Sequence, residues 1–181
     1  MVEKEFIRAD DLVRDSFQLA KRIYDSGFIP DVLLVLWRGG TPVGIVIHEF
    51  LLYKGIETYH TALKAVSYTG IGERSEPVLE NICSLEKNLS SASRVLVVDD
   101  IFDSGSTMKK VVDELGPLVK DLKIATLYYK SEANTTDIVP DFYGRKTDRW
   151  IVFPHELMGL SPAEIRAKDH VISDLIEGSA L

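Results

Sequence analysis

Along the chain, short unbroken apolar runs alternate with longer stretches in which apolar residues recur every three or four positions. Val32 to Leu36 and Val95 to Val98 are continuous aliphatic runs, the habit of strands buried on both faces in parallel sheets covered by helices. Leu122 to Tyr129 and Trp150 to Phe153 predict further strands, and Glu57 to Val66, which alternates less cleanly, another. Helical spacing runs from Asp11 to Ser26, with Leu12, Phe17, Ala20, Ile23 and Tyr24 turned inward and Gly27 as the stop. Thr41-Pro42 has N-cap and first-turn chemistry, predicting a helix through Ile45, Phe50 and Leu51 to Gly55. Met108, Val111, Val112 and Leu115 mark another helix, ended by Gly116-Pro117. Ser161-Pro-Ala-Glu opens a C-terminal helix over about 161–177, with Ile165, Val171, Ile172 and Leu175 as apolar contacts. Strands alternating with helices, without an internal repeat or a low-complexity linker, define an α/β class. The expected architecture is a single domain over 1–181 with a central, mainly parallel sheet flanked by helices.

Two strand-to-helix turns carry chemistry. After Val95–Val98 come three carboxylates, Asp99, Asp100 and Asp103, and then Ser104, Gly105, Ser106 and Thr107. The small residues let the chain turn sharply and supply hydroxyls for a helix N-cap. A helix start fed by such a loop gathers N–H groups and the positive end of the macrodipole at one spot, which suits a phosphate dianion. The carboxylates would repel that anion. They are suited instead to accepting hydrogen bonds from sugar hydroxyls, holding a cation or moving a proton. The other turn is Trp37-Arg38-Gly39-Gly40, where paired glycines allow close backbone approach and a guanidinium can bind phosphoryl oxygens. Both turns follow predicted parallel strands, so both belong on one rim of the sheet.

The run Asp99-Asp-Ile-Phe-Asp-Ser-Gly-Ser-Thr107 resembles the phosphoribosyl pyrophosphate (PRPP) signature of type I phosphoribosyltransferases, with Ser104 in the place of that motif's first Thr. The resemblance implies a type I phosphoribosyltransferase-like fold with a small hood over the base site, and a core over about 28–156. It assigns Asp99 and Asp100 to the ribose hydroxyls, and the backbone from Asp103 through Ser104, Gly105, Ser106 and Thr107 to the 5′-phosphate. By the same resemblance Arg38, Gly39 and Gly40 face the pyrophosphate, in a loop that in the family often contains a non-proline cis peptide. The polar segment Ser67-Tyr-Thr-Gly-Ile-Gly-Glu-Arg-Ser-Glu-Pro77 is too long for a simple turn. It is similar to the flexible catalytic loop of purine phosphoribosyltransferases, with Ser67 and Tyr68 as catalytic residues and a lid over about 67–80. Such a lid would keep water from the oxocarbenium-like ribose carbon.

Lys130 at a strand end, with Trp150 and Ile151 further on, resembles the base site of 6-oxopurine phosphoribosyltransferases. There a lysine donates to the purine O6, an aromatic ring stacks on the base, and backbone meets the base edge. An ammonium donor selects a carbonyl at position 6 over the amino group of adenine. The implied reaction moves the 5-phosphoribosyl group of PRPP to N9 of hypoxanthine, guanine or xanthine, with Asp103 contacting N7 as general base or charge stabiliser. Mg2+ is the implied cofactor, held by Asp99 and Asp100, with Glu156 where those enzymes commonly have an Asp ligand. Relatives are commonly dimers or tetramers, so a homo-oligomer is expected. The alternatives are a PRPP- or nucleotide-binding regulator of the same fold without turnover, and transfer to another base.

Composition narrows the setting. A length of 181 residues, 45% hydrophobic and 9% aromatic, is ordinary for a globular protein with a substantial core. No apolar run has the length of a membrane span and Met-Val-Glu-Lys-Glu lacks a signal peptide's apolar stretch, giving the expectation of a cytoplasmic protein without membrane contact. Cys83 is alone, which excludes an internal disulfide and a Cys-based zinc cluster. A net charge of −7 argues against nucleic acid as a partner. Neither G-x-G-x-x-G nor G-x-x-x-x-G-K-[ST] occurs.

Overall fold

The computed structural model describes residues 3–66, 69–70, 73–74, 77–80, 85, 88–89 and 93–178. Backbone contacts divide the chain into two units, Val13–Asp148 and Met1–Leu12 with Arg149–Leu181.

The larger unit is organised by two strands, β2 (Val32–Trp37) and β7 (Arg94–Phe102), which pair in parallel from Val32↔Val95 to Val35↔Val98. On one side β2 is joined by β3 (Tyr59–Val66), and on the other β7 by β8 (Asp121–Tyr129), both parallel. The sheet ends in β6 (Val78–Glu80), antiparallel to β3, and β9 (Phe142–Lys146), parallel to β8. The sheet is therefore mainly parallel, as the aliphatic runs implied, and Val95 to Val98 are fully buried. Along β2 alternate residues serve opposite faces. Val32, Leu34 and Leu36 share a core with Met108, Val111 and Leu115 of α3 (Ser106–Leu115). On α2 (Gly40–Tyr53), Gly44 lies so close to Val35 that a Cβ there would overlap that side chain.

Helix α1 (Ala9–Asp25) buries Leu12, Ser16, Leu19, Ala20 and Ile23. Those positions fall on one stripe at 100° per residue. Phe17 and Tyr24, expected inward, sit off that stripe and are exposed. The expected cap at Thr41 is also corrected: α2 starts at Gly40, its N-cap is Gly39, and the buried Thr41 hydroxyl has no hydrogen-bond partner among the described residues. Phe142–Lys146, a segment without a strand pattern of its own, forms edge strand β9. Its main chain pairs with β8, and Arg22 of α1 donates to the Tyr143 and Gly144 carbonyls. Of the 67–80 lid, the described part contains two short antiparallel strands, β4 (Thr69–Gly70) and β5 (Glu73–Arg74), while β6 belongs to the main sheet.

In the smaller unit, β1 (Lys4–Phe6) pairs in parallel with β10 (Trp150–Val152), so the expected strand at Trp150 lies in a separate two-stranded sheet. The C-terminal helix is two helices, α4 (Pro162–Lys168) and α5 (His170–Glu177). Asp169 breaks it, because its extended backbone and carboxylate cap α5 by accepting from Val171 and Ile172 N–H. Val171 and Leu175 are consequently exposed on the second segment. No helix among the described residues is long and apolar enough to cross a membrane.

Candidate active site

The order of strands reverses between β2 and β7. From β2 the chain moves outward to β3, then returns to lay β7 on the other side and continues outward to β8 and β9. In open α/β sheets a crevice forms at the carboxyl ends of strands flanking such a reversal. Here the strand pairing stops at Val35↔Val98, and both glycine-bearing turns emerge into the gap beyond it.

The turns touch. A Cβ on Gly39 would overlap the Asp100 carboxylate, and the Gly40 N–H lies close enough to the Asp99 carboxylate to favour its charged form. A Cβ on Gly40 would overlap the Val98 carbonyl, so two glycines are needed for the first turn to lie flat against β7. The Trp37–Arg38 peptide is cis. Contrary to the reading of a bend beyond a short strand, β7 continues through Asp99 and Asp100 to Phe102; only Asp103 lies past its end. Asp99 Oδ1 accepts from Asp100 N–H at 3.0 Å. Burial and then the neighbouring Asp100 charge push the Asp99 carboxyl well above the usual carboxylate range, against the pull of the Asp100 and Gly40 N–H groups.

Gly105 adopts a left-handed conformation (φ 81°) as N-cap of α3, opening the helix where the small-residue run placed it. Ser104 and Ser106 hydroxyls lie 3.0 Å apart on this turn. Asp103 accepts from Lys130 Nζ at 3.1 Å; the lysine side chain is 13% exposed and the aspartate 53%. Lys130 is held at the end of β8 by its own N–H, which donates to the Phe102 carbonyl at 2.9 Å. The structure thus brings together Arg38 to Gly40, Asp99, Asp100, Asp103 to Thr107 and Lys130 in one unit.

Trp150, Ile151 and Glu156 lie in the smaller unit. Trp150 is 53% exposed, whereas Ile151 is buried. A cavity of about 580 Å3 opens there, lined by Trp150, Val152, Glu156, Met158, Leu160 and Lys4 among others. The Glu156 carboxylate folds back to accept from Phe153 N–H at 3.1 Å. Lys168, whose ammonium is shifted down by burial, fixes the same turn by donating to the Phe153 and Glu156 carbonyls. Ser67 and Tyr68 lie outside the described residues. Among the described residues, no group of three or more His, Cys, Asp or Glu side chains gathers around a potential metal position.

Sequence reading missed two features around this site. Asp31 and Arg94 tie the opposite ends of β2 and β7, and Asn134 to Thr136 pack on the Ser104–Gly105 turn. Asp and Asn next to strand or turn residues were their only local signal, and that signal is common.

Comparison with known proteins bears on this geometry. Residues 7–158 match the model of the phosphoribosyl transferase domain family. A hypoxanthine-guanine phosphoribosyltransferase from Aquifex aeolicus is 29% identical over 154 residues, covering 82% of this chain and 83% of the relative. The crystal structure of a purine phosphoribosyltransferase from Pyrococcus horikoshii superposes with a TM-score of 0.69 at 28% identity, over 87% of this chain and 97% of that one. A hypothetical protein from Neisseria gonorrhoeae, crystallised with bound ppGpp, shares the fold with a TM-score of 0.76 at 24% identity, over 94% of this chain and 98% of that one.

Proposed function

The chain belongs to the phosphoribosyl transferase domain family, and from that membership we propose that it transfers the 5-phosphoribosyl group of PRPP to N9 of a 6-oxopurine, releasing pyrophosphate. The observation that carries the proposal is the meeting of the two turns, with Gly39 and Gly40 pressed against Asp99 and Asp100 beside the helix start at Gly105. In this reading the 5′-phosphate lies on Ser104 to Thr107, the ribose hydroxyls on Asp99 and Asp100, and the pyrophosphate against Arg38 to Gly40.

The Asp103–Lys130 pair sets an acceptor next to a donor. A 6-oxopurine offers a ring nitrogen, N7, beside the O6 carbonyl, and this edge suits both groups. Asp103 takes or stabilises the proton at N7 while Lys130 donates to O6. By the family resemblance, Trp150 is proposed to stack on the base and the Ile151 backbone to meet its edge. Ser67 and Tyr68 retain the lid role as part of the proposal.

Magnesium belongs to the same reading. Two crowded carboxylates of like charge, one pushed toward its protonated form, are hard oxygen donors that a divalent cation would relieve. Mg2+ keeps several waters and is commonly held by one or two carboxylates plus substrate phosphates, so Asp99 and Asp100 suffice on the protein side. When bound, it neutralises charge building on the departing pyrophosphate. Glu156 is kept as a third proposed ligand on the family resemblance alone. Assembly into a homo-oligomer is also proposed, supported by the exposed Ile45, Leu52 and Tyr53 on α2, and light scattering tests it.

Incubation with PRPP, Mg2+ and each purine in turn, followed for pyrophosphate, tests the reading. Release with hypoxanthine, guanine or xanthine but not adenine is expected. Binding of PRPP without release would make the chain a nucleotide-responsive protein of the same fold. Lys130→Met is expected to lower oxopurine kcat/KM roughly 10- to 100-fold and to narrow the bias against adenine. Unchanged selectivity would remove Lys130 from the base site.

A further inference from the structure

Outside the groups assigned so far, a segment beyond Lys130 closes over the back of the Ser104–Gly105 turn. Thr135 donates to the Ser104 carbonyl twice, through its N–H at 3.0 Å and its hydroxyl at 3.2 Å. Asn134 gives this segment its shape. Its Oδ1 accepts from Thr136 N–H at 2.9 Å and Thr136 Oγ1 at 2.8 Å, while its Nδ2 donates to the Ile138 carbonyl at 2.8 Å and the Tyr129 hydroxyl at 3.4 Å. An amide side chain has two N–H donors and an oxygen with two lone pairs, so every site on Asn134 is used. The amide orientation follows, because the Ile138 carbonyl only accepts and the Thr136 N–H only donates. Contact at the turn is close: a Cβ on Gly105 would lie 2.5 Å from Thr136 Oγ1 and 2.7 Å from Asn134 Oδ1.

One peptide plane connects this packing to the ligand. In a trans peptide the carbonyl and the following N–H point in opposite directions. Holding the Ser104 carbonyl toward Thr135 therefore turns the Gly105 N–H away from the strap, and no described residue accepts from that N–H. We infer that Asn134 to Thr136 form a positioning strap that aims the Gly105 N–H at the sugar phosphate, with Asn134 setting the strap and Thr135 transmitting it. This rests on the assignment of Ser104 to Thr107 to the 5′-phosphate. The strap acts on the phosphate and not on the base, so its loss is selective.

Calorimetric titration of the full chain with ribose 5-phosphate, guanosine 5′-monophosphate and guanosine tests it. A lost hydrogen bond in this setting is worth roughly a 2- to 12-fold change in affinity. Asn134→Ala is expected to weaken both phosphorylated ligands about tenfold and Thr135→Val about threefold, with guanosine unchanged and Thr135→Ser at the wild-type level. In turnover the loss appears in KM for PRPP, with kcat preserved. Equal loss for guanosine and its monophosphate, or no loss in either variant, overturns the inference. Should Asn134→Ala fail to fold, the Thr135→Val and Thr135→Ser pair reads the same split. A wild-type chain that binds ribose 5-phosphate but releases no pyrophosphate fails the transferase reading and leaves this test in force; one that binds no ribose 5-phosphate overturns the strap.

Discussion

At their N-terminal ends β2 and β7 are tied by Asp31 and Arg94; at their C-terminal ends the same two strands part around Asp99, Asp100 and two glycine turns. The closed end pairs its charges. Asp31 accepts from the Arg94 backbone N–H at 2.8 Å and from its guanidinium at 3.1 and 2.9 Å, and Asp31 N–H returns a bond to the Arg94 carbonyl. That bonding, above all the guanidinium contact, holds the Asp31 carboxyl below its usual range. The open end crowds like charges, and the Asp99 carboxyl is pushed the other way. One strand pair thus carries a stabilising end and an end that stability alone would not build. Such unfavourable arrangements cluster where a ligand completes them.

Perturbing the open end has the largest expected effect. Gly40→Ala drives a methyl group into the Val98 carbonyl, on backbone that cannot yield without parting the central strands. A displacement near 1 Å of a positioned group costs on the order of a hundredfold, so kcat/KM for PRPP is expected to fall at least about that much. Overpacking adds a stability loss of roughly 1–3 kcal/mol, read by denaturant unfolding. If Gly40→Ala binds and turns over normally, the two turns do not form one site.

Asp103→Asn separates chemistry from binding at the same end. Shape survives and proton acceptance does not, so kcat is expected to drop roughly 100- to 10,000-fold while KM for PRPP changes little. Steady-state kinetics decides, and equal losses in both would take Asp103 out of proton transfer.

The smallest effects sharpen the contrast through pH, because the two ends carry opposite signs. Asp31 has a depressed folded pKa, so its contribution is present above the unfolded carboxylate value and is lost as pH falls through the folded one. Asp99 has a raised folded pKa, so its contribution is fully present only below the unfolded value and is lost as pH rises through the folded one. Thermal melts across acid and neutral pH should show Asp31→Asn lowering the neutral melting temperature by a few degrees and flattening the acid-side decline. Asp99→Asn should raise the neutral melting temperature and flatten the decline on the other side. Parallel shifts in the two variants would erase the distinction between the ends.

What was legible in the sequence was local. Val95 to Val98 needs burial on both faces wherever it goes, Gly105 is where the chain must turn, and Met108, Val111 and Leu115 mark one helical face; the structure keeps all three. The carboxylates and small residues of 99–107 could be read as a sugar-phosphate site because their order along the chain is itself the motif. Short pairings across long separations were not legible. Phe142–Lys146 becomes a strand by pairing with β8, and Lys4–Phe6 by meeting Trp150–Val152, a partner with no trace in a local window.

The amino-acid order by itself determined the aliphatic strands, the helix start at Gly105, and the chemistry carried on the two turns, because each depends on residues within a few positions of one another. Tertiary structure alone decided that Gly39 and Gly40 lie on Asp99 and Asp100, that Asp103 pairs with Lys130, and that Asn134 to Thr136 hold the Ser104 carbonyl. Those contacts join segments brought together only when β2, β7 and β8 align, and the free energy of that alignment comes from burying their shared faces, which no single segment can do alone.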